Sequence, residues 1–299
     1  MLEAVRQGGG VLAGDGARRD EEPVDGVVWT DFGTAGLLET VREHPGLRWV
    51  QLPSAGVDGV VQAGIFGAPQ PDGLVWTCAK GSYARPVAEH ALCLALAGLR
   101  KLPERARARS WGPRAGISLY DAPVTVLGGG GITRELLALL APFHVQATVV
   151  RRTGSPVPGA VRTVTTAGLR ASLTGALVVF VALALSPETV HIVSDAELDL
   201  MSSGAWLVNV ARGPHVDTDA LVRALSKGRI GGAALDVTDP EPLPDGHPLW
   251  SLPNCIVTPH TANTPEMSQP LLAARIRDNV TRLASRLPLV GTVDTVAGY

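Results

Sequence analysis

Three side chains of complementary chemistry stand well apart in the chain: Arg212 in NVARG (209–213), Glu241 in ALDVTDPEPLP (234–244) and His260 in TPH (258–260). A guanidinium grips a carboxylate through a planar fork of donors, a carboxylate orients an imidazole, and an imidazole passes a proton to or from an oxygen. Together they predict an acid/base site for a carboxylated substrate. Singly, each has an ordinary reading: a surface ion pair, a solvated Glu in a Pro-rich loop, a hydrogen-bonded loop histidine. A second group is GGGGIT (128–133), set between the apolar run VTVL (124–127) and the helix-like ELLALLAPF. Strand, glycine turn and helix in that order suit a dinucleotide. Gly128 makes the tight turn and Gly130 lets a pyrophosphate approach the backbone. The helix start at Gly131 and Ile132 offers N–H groups and a partial positive charge. A merely flexible turn is the alternative. Thr133 stands at the third glycine position, where a side chain is expected to push helix and strand apart. Where a reader of the ribose 2′-hydroxyl would be Asp or Glu, the chain has Arg151 and Arg152. Paired guanidinium groups suit a 2′-phosphate and predict NADP in preference to NAD, with two solvated surface arginines as the alternative.

The elements that must position these groups are read from apolar runs. VTVL, ATVV (147–150), ALVVFVALAL (176–185), AWLVNV (205–210), AALDV (233–237) and CIVT (255–258) predict six strands of a doubly wound parallel sheet. Arg212, Glu241 and His260 each follow one of them, at the end of such a sheet where ligands bind. Upstream, VVW (27–29), LRWVQL (47–52) and GLVW (73–76) repeat the alternation on a smaller scale. Residues 1–26 are rich in Gly, Asp and Arg, and Val11 and Leu12 are their one hint of a strand. Pro86 opens a helix, VAEHALCLALAGLR, apolar on nearly every face and so expected to be covered on all sides, by a domain or a subunit. The basic stretch RKLPERARARSWGPRAG reads as a connector.

With 299 residues, 45% of them apolar and 18% charged, the chain has room for two globular domains. Lys plus Arg number 26 against 28 Asp plus Glu, a net charge of -2 that argues against a nucleic-acid partner. The apolar runs fall short of the roughly 20 residues of a membrane span, and no secretory signal opens the chain, so the cytoplasm is expected. The three cysteines, Cys78, Cys93 and Cys255, show neither a disulfide framework nor zinc spacing, and His44, His90, His144, His191, His215 and His247 are assigned no role.

On these residues the chain resembles the D-isomer-specific 2-hydroxyacid dehydrogenases, in order from about Val27 onward. The resemblance rests on LPSAGVD (52–58), PVAEHALCLALAGLR (86–100), GGGGI (128–132), LSPETVHIV (185–193), WLVNVARGPHVDTDALVRAL (206–225), GGAALDVTDPEPLPDGHPLW (231–250) and NCIVTPHTAN (254–263). It implies a Rossmann nucleotide domain, placed at 93–266, and a smaller flavodoxin-like lid domain at 1–92 with the C-terminal helix 267–299. It also implies dimerisation through the nucleotide domain. The activity implied is hydride transfer between NADP, or NAD, and a small 2-oxo or (R)-2-hydroxy acid. Arg212 looks like the substrate arginine, Glu241 like the partner of the histidine and His260 like the acid/base. Asp236 looks like the carboxylate on the nicotinamide side, while Ala55 and Gly56 match the loop whose N–H groups hold the substrate carboxylate. A cofactor-sensing protein or a degenerate paralogue without turnover is the alternative. Thr133, Leu177 and Ala184 depart from the family's glycine, acid and proline, and are expected to weaken nucleotide binding. The family's first strand and most of its first helix have no counterpart before Gly8, so the lid is expected to lack an interior strand.

Overall fold

The computed structural model describes residues 1–13 and 23–298, in two compact units: Met1–Tyr83 with Thr264–Tyr299, and Ala84–Asn263. Along the chain the first unit carries α1 (Leu2–Gln7), β1 (Gly26–Val28), α2 (Leu37–Glu43), β2 (Trp49–Gln51), α3 (Asp58–Gln62) and β3 (Val75–Thr77). The second carries α4 (Ala84–Leu99), α5 (Leu102–Arg107), β4 (Pro123–Leu127), α6 (Gly131–Leu140), β5 (Gln146–Val150), β6 (Arg162–Val164) and α7 (Leu169–Leu173). It continues through β7 (Val178–Val181), α8 (Asp195–Leu198), β8 (Trp206–Asn209), α9 (Thr218–Ser226), β9 (Gly232–Leu235) and β10 (Cys255–Val257), and α10 (Pro265–Ala284) returns the chain to the first unit. The expected boundaries at 92/93 and 266/267 therefore move to 83/84 and 263/264. The physical reason is that α4 is one unbroken helix across residues 92 and 93, and α5, α6, β8 and β9, against which it packs most, lie in the second unit.

In the first unit β1, β2 and β3 pair in parallel in that order. Leu37 and Val41 of α2 pack with Leu47, Val50, Leu52 and Trp76 to form its core. The buried Gln51 Oε1 accepts from Thr77 Oγ1 at 2.9 Å and from Asn279 Nδ2 at 3.0 Å, which fastens α10 to the sheet although 228 residues separate Asn279 from Gln51. The strand hinted at by Val11 and Leu12 does not form: both residues lack regular structure, and a short helix, α1, packs on α10 instead. Most of the remainder of the Gly- and Arg-rich start, 14–22, lies outside the described residues.

The second unit is a Rossmann-like sheet of seven parallel strands in the order β10-β9-β8-β7-β4-β5-β6. All six expected segments are strands, with ALVVFVALAL trimmed to Val178–Val181. The seventh, β6, is a three-residue edge strand whose sequence, RTV, has no apolar run to betray it. Val179, Val181, Leu207 and Leu235 point into one cluster with Leu173, Leu198 and Leu221 from α7, α8 and α9. α4 packs against β8, β9 and α6. Pro86 falls in the first turn of α4, where a missing N–H costs nothing because no intrahelical acceptor exists for it. The expected cover on all sides is not complete within the unit: Val87, Ala91, Leu94 and Ala95 are buried, but Leu92 and Leu96 are partly exposed and Cys93 is exposed. Strand order reverses between β4 and β7, which opens a crevice at the carboxyl ends of these strands.

Candidate functional site

The glycine turn sits at that reversal. Gly128 has φ +113°, and a Cβ there would stand 2.2 Å from the carbonyl oxygen of Ala182 at the end of β7, so no other residue fits. Gly130 precedes α6 in an extended conformation, no side chain caps the helix, and a Cβ at Gly130 would meet nothing within 4 Å. A helix start with no side-chain cap behind an open glycine is a cradle whose residue types fit a pyrophosphate. Thr133 differs from expectation. Its side chain is fully buried and Oγ1 donates to Gly128 O at 2.9 Å, so it ties the helix to the turn. Arg151 leaves the end of β5 with its Cδ and Nε beside Gly129 and its Nη1 donating to Ser155 O at 3.3 Å; Arg152 follows, exposed. Arg151 thus stands next to the glycine turn on the side where β5 ends, and Arg152 follows it in the chain.

On the other side of the reversal, β8 ends at Asn209. The side chain of Asn209 accepts from the N–H of Ala211 at 3.0 Å and donates to the carbonyl of Arg212 at 2.8 Å, wrapping the turn around itself. Arg212 is half-buried, and its Nη1 donates to Ala211 O at 2.7 Å. Gly213 is held against the end of the next strand: a Cβ there would stand 1.9 Å from Thr238 O. Glu241 lies further along that segment, between two cis peptide bonds, Asp239–Pro240 and Glu241–Pro242.

His260 meets Glu241 at this edge, Nδ1 to Oε1 at 2.6 Å, with side chains 52% and 40% exposed. The loop carrying His260 is held by Asp236, one residue past β9 and only 2% exposed. Asp236 Oδ1 accepts from Thr258 Oγ1 at 2.6 Å and from the N–H of Thr261 at 2.8 Å; Oδ2 accepts from the N–H of Ala262 at 3.0 Å. The Asp236 carbonyl takes the His260 N–H at 2.8 Å. From α4, His90 Nε2 reaches Thr258 Oγ1 at 3.1 Å and Asp236 Oδ1 at 3.3 Å. Burial alone is the largest influence on this carboxyl and raises it. Hydrogen bonds from His90, Thr258 and the N–H groups of Ala262 and Thr261 together outweigh burial and hold Asp236 down at about 2. His260 itself has φ +53°, a left-handed conformation costing a non-glycine residue roughly 1–2 kcal/mol, which these bonds on either side maintain.

Arg212, Glu241, His260 and Asp236 therefore gather at the carboxyl ends of β8, β9 and β10, while Gly128, Gly130, Gly131, Ile132, Arg151 and Arg152 gather where β4 and β5 end. Ala55 and Gly56 belong to the first unit, in the loop after β2. Ser54 Oγ donates to Gly56 O at 2.6 Å and Cys78 Sγ to Ala55 O at 3.4 Å, and among the described residues neither N–H has an acceptor. Sequence reasoning missed His90, Thr258 and His215. His90 carried one signal, a polar residue that with Glu89 interrupts a largely apolar helix. Leu177 is a half-buried residue whose N–H donates to Pro123 O at 2.8 Å, and Ala184 O accepts from Thr189 Oγ1 at 3.0 Å. Among the described residues no helix is long and apolar enough to cross a membrane, and no cluster of His, Cys, Asp and Glu could hold a metal ion.

Residues 90–262 match the family model for the NAD binding domain of D-isomer specific 2-hydroxyacid dehydrogenases. A protein of Corynebacterium melassecola from the proB 3′ region is 38% identical over 295 residues, which cover 97% of this chain and 95% of that one. Among solved structures, a D-isomer specific 2-hydroxyacid dehydrogenase of Xanthobacter autotrophicus in complex with NADPH is 29% identical. It superposes with a TM-score of 0.81, covering 100% of this chain and 95% of its own. An NADPH-dependent glyoxylate/hydroxypyruvate reductase of Sinorhizobium meliloti, in complex with NADP, is 25% identical, with a TM-score of 0.80 and coverage of 100% and 97%.

The Asp236 network carries a pH signature. An unfolded Asp titrates near about 3.9, so the native carboxylate contributes on the order of 2 kcal/mol at neutral pH, a contribution lost as pH falls from about 4 through about 2. Asp236→Asn is expected to lower the urea midpoint at neutral pH, and the gap to wild type is expected to narrow across that acid range. A gap that stays constant would contradict the assignment.

Proposed function

The chain belongs to the D-isomer specific 2-hydroxyacid dehydrogenase family, and we propose that it interconverts a small 2-oxo acid and the (R)-2-hydroxy acid with His260 as acid/base. The observation that carries this reading is the His260–Glu241 pair at 2.6 Å, exposed on a loop that a buried carboxylate pins in place. Glu241 engages Nδ1, so Nε2 is the atom left to give a proton to the substrate oxygen in reduction or to take it back in oxidation. Arg212 grips the substrate carboxylate with two parallel donors. Ala55 and Gly56 are further substrate-binding residues through their N–H groups. The nicotinamide dinucleotide, when bound, supplies or accepts the hydride. N–H groups from Gly130 to Ile132 hold its pyrophosphate, Gly128 makes the turn that aims them, and Arg151 and Arg152 hold a 2′-phosphate. Asp236 Oδ2 accepts one N–H from Ala262, which leaves it a lone pair for the nicotinamide side. The bound NADPH of the Xanthobacter protein and the cofactor dependence of the Sinorhizobium enzyme support a nicotinamide dinucleotide as the cofactor, and the preference for NADP over NAD rests on Arg151 and Arg152. The latter makes glyoxylate and hydroxypyruvate the first substrates to try. The partly exposed strip of α4 around Leu92, Cys93 and Leu96 supports a homodimer that covers it.

His260→Ala is expected to lower kcat by roughly 10²–10⁴ with cofactor binding intact. Unchanged turnover would remove His260 from the mechanism. Arg212→Lys is expected to raise KM for the 2-oxo acid sharply, since an ammonium cannot reproduce the planar two-point grip; wild-type constants would refute that role.

Each arginine offers a 2′-phosphate a charge-assisted bond of about 1.5–3 kcal/mol, so one bond means about a tenfold preference for NADPH over NADH. Arg151→Asp is expected to shrink or invert that ratio. Equal wild-type binding of both cofactors at low salt would overturn the assignment. Light scattering at micromolar concentration is expected to give the mass of a dimer, and a monomer's mass would sink that part of the reading.

A further inference from the structure

Outside the proposed catalytic pair, one fully buried histidine lies between two of the loops that frame the site. His215 is 0% exposed, and its ring spans from the β8 loop to the β7 loop. Nδ1 stands 3.2 Å from the Arg212 nitrogen and 3.0 Å from the Arg212 carbonyl oxygen, and Nε2 stands 3.3 Å from Ala184 O. The tautomer follows from what each partner can do. The Arg212 N–H can only donate, and it points at Nδ1, while the Arg212 carbonyl takes Asn209 Nδ2 at 2.8 Å. Ala184 O can only accept. The ring therefore carries its proton on Nε2, donates it to Ala184 O, and accepts the Arg212 N–H at Nδ1.

We infer that His215 is the positioning residue for Arg212: it holds the Arg212 backbone in one register against the β7 loop, and through it sets the direction in which the guanidinium is presented to a carboxylate. This deepens the proposed function and rests on the reading of Arg212 as the carboxylate clamp. Gly213 supports the same register from the other side, because its Cα packs where a Cβ would strike Thr238 O. The Arg212 backbone is thus fixed by a ring on one flank and a neighbouring loop on the other. A two-point grip depends on orientation more than a point charge does, so a small rotation of this backbone is felt in substrate binding before it is felt in cofactor binding.

The test compares three replacements at one position. An Asn side chain can place its amide oxygen near the place of Nδ1 and so restore an acceptor for the Arg212 N–H; a Gln side chain can place its amide nitrogen near the place of Nε2 and so restore only the donor to Ala184 O; Leu restores neither. The probe is oxalate, a non-reacting carboxylate, titrated calorimetrically into the NADPH-saturated protein, alongside steady-state turnover of hydroxypyruvate. His215→Leu and His215→Gln are expected to weaken oxalate and raise KM about tenfold, the effect of some 1.4 kcal/mol of lost orientation. NADPH affinity is expected to stay at the wild-type value, and His215→Asn is expected to recover most of the loss. Three equal variants would overturn the inference, as would a loss of NADPH affinity parallel to that of oxalate. Wild-type protein that binds oxalate through Arg212 yet turns over no 2-oxo acid would refute the proposed reaction and leave the positioning role standing. Wild-type protein that binds no oxalate would overturn both.

Discussion

Asp236 Oδ1 and Oδ2 lie inside the protein, where an ionised carboxylate loses its hydration and must find donors of comparable strength. It finds them in Thr258, Thr261, Ala262 and His90, and all but His90 belong to the loop that bears His260. The demand of one buried charge for partners is thereby converted into order in a loop that would otherwise have little reason to keep a histidine in a left-handed conformation. His90 extends the same network into α4, so the loop is referenced to a helix that packs on β8 and β9. The His260 side chain is then exposed while the backbone that carries it is held by hydrogen bonds on either side.

The Arg212 turn and the glycine turn are held by analogous devices, each at the end of a parallel strand. Asn209 wraps the Arg212 turn around its own amide. Gly128 accepts a contact with Ala182 O that any side chain would forbid, and Thr133 locks the start of α6 to the same glycine. Because the strands are parallel and share one register, these loops emerge on one edge of one sheet. The glycine turn and the His260–Glu241 pair then need no element beyond the sheet itself to stand on that edge.

Much of this was legible in the sequence because the chemistry follows directly on apolar runs. Arg212, Glu241 and His260 could be paired with strand ends by reading alone, and the glycine turn announced itself between VTVL and a helix. What stayed hidden were residues whose signal is burial in three dimensions. His90 and His215 look like any other histidine until the ring is seen against Asp236 or Arg212. Thr133 was read as a defect in a glycine pattern, since its compensating bond to Gly128 O exists only when the turn is folded. β6 was missed for want of an apolar run. The unit boundary was placed inside α4 because an apolar helix does not declare which core it serves.

On the proposed reading, the groups at this sheet edge turn over a 2-oxo acid and do more than hold a nucleotide. The most direct measurement is the oxidation of NADPH by the purified protein, followed by its absorbance, with glyoxylate, hydroxypyruvate and larger 2-oxo acids offered in turn. The account predicts oxidation that requires both the protein and a 2-oxo acid and that yields the (R)-2-hydroxy acid. Tight binding of NADPH with no oxidation by any member of the panel would contradict it and leave a protein that senses the cofactor without using it.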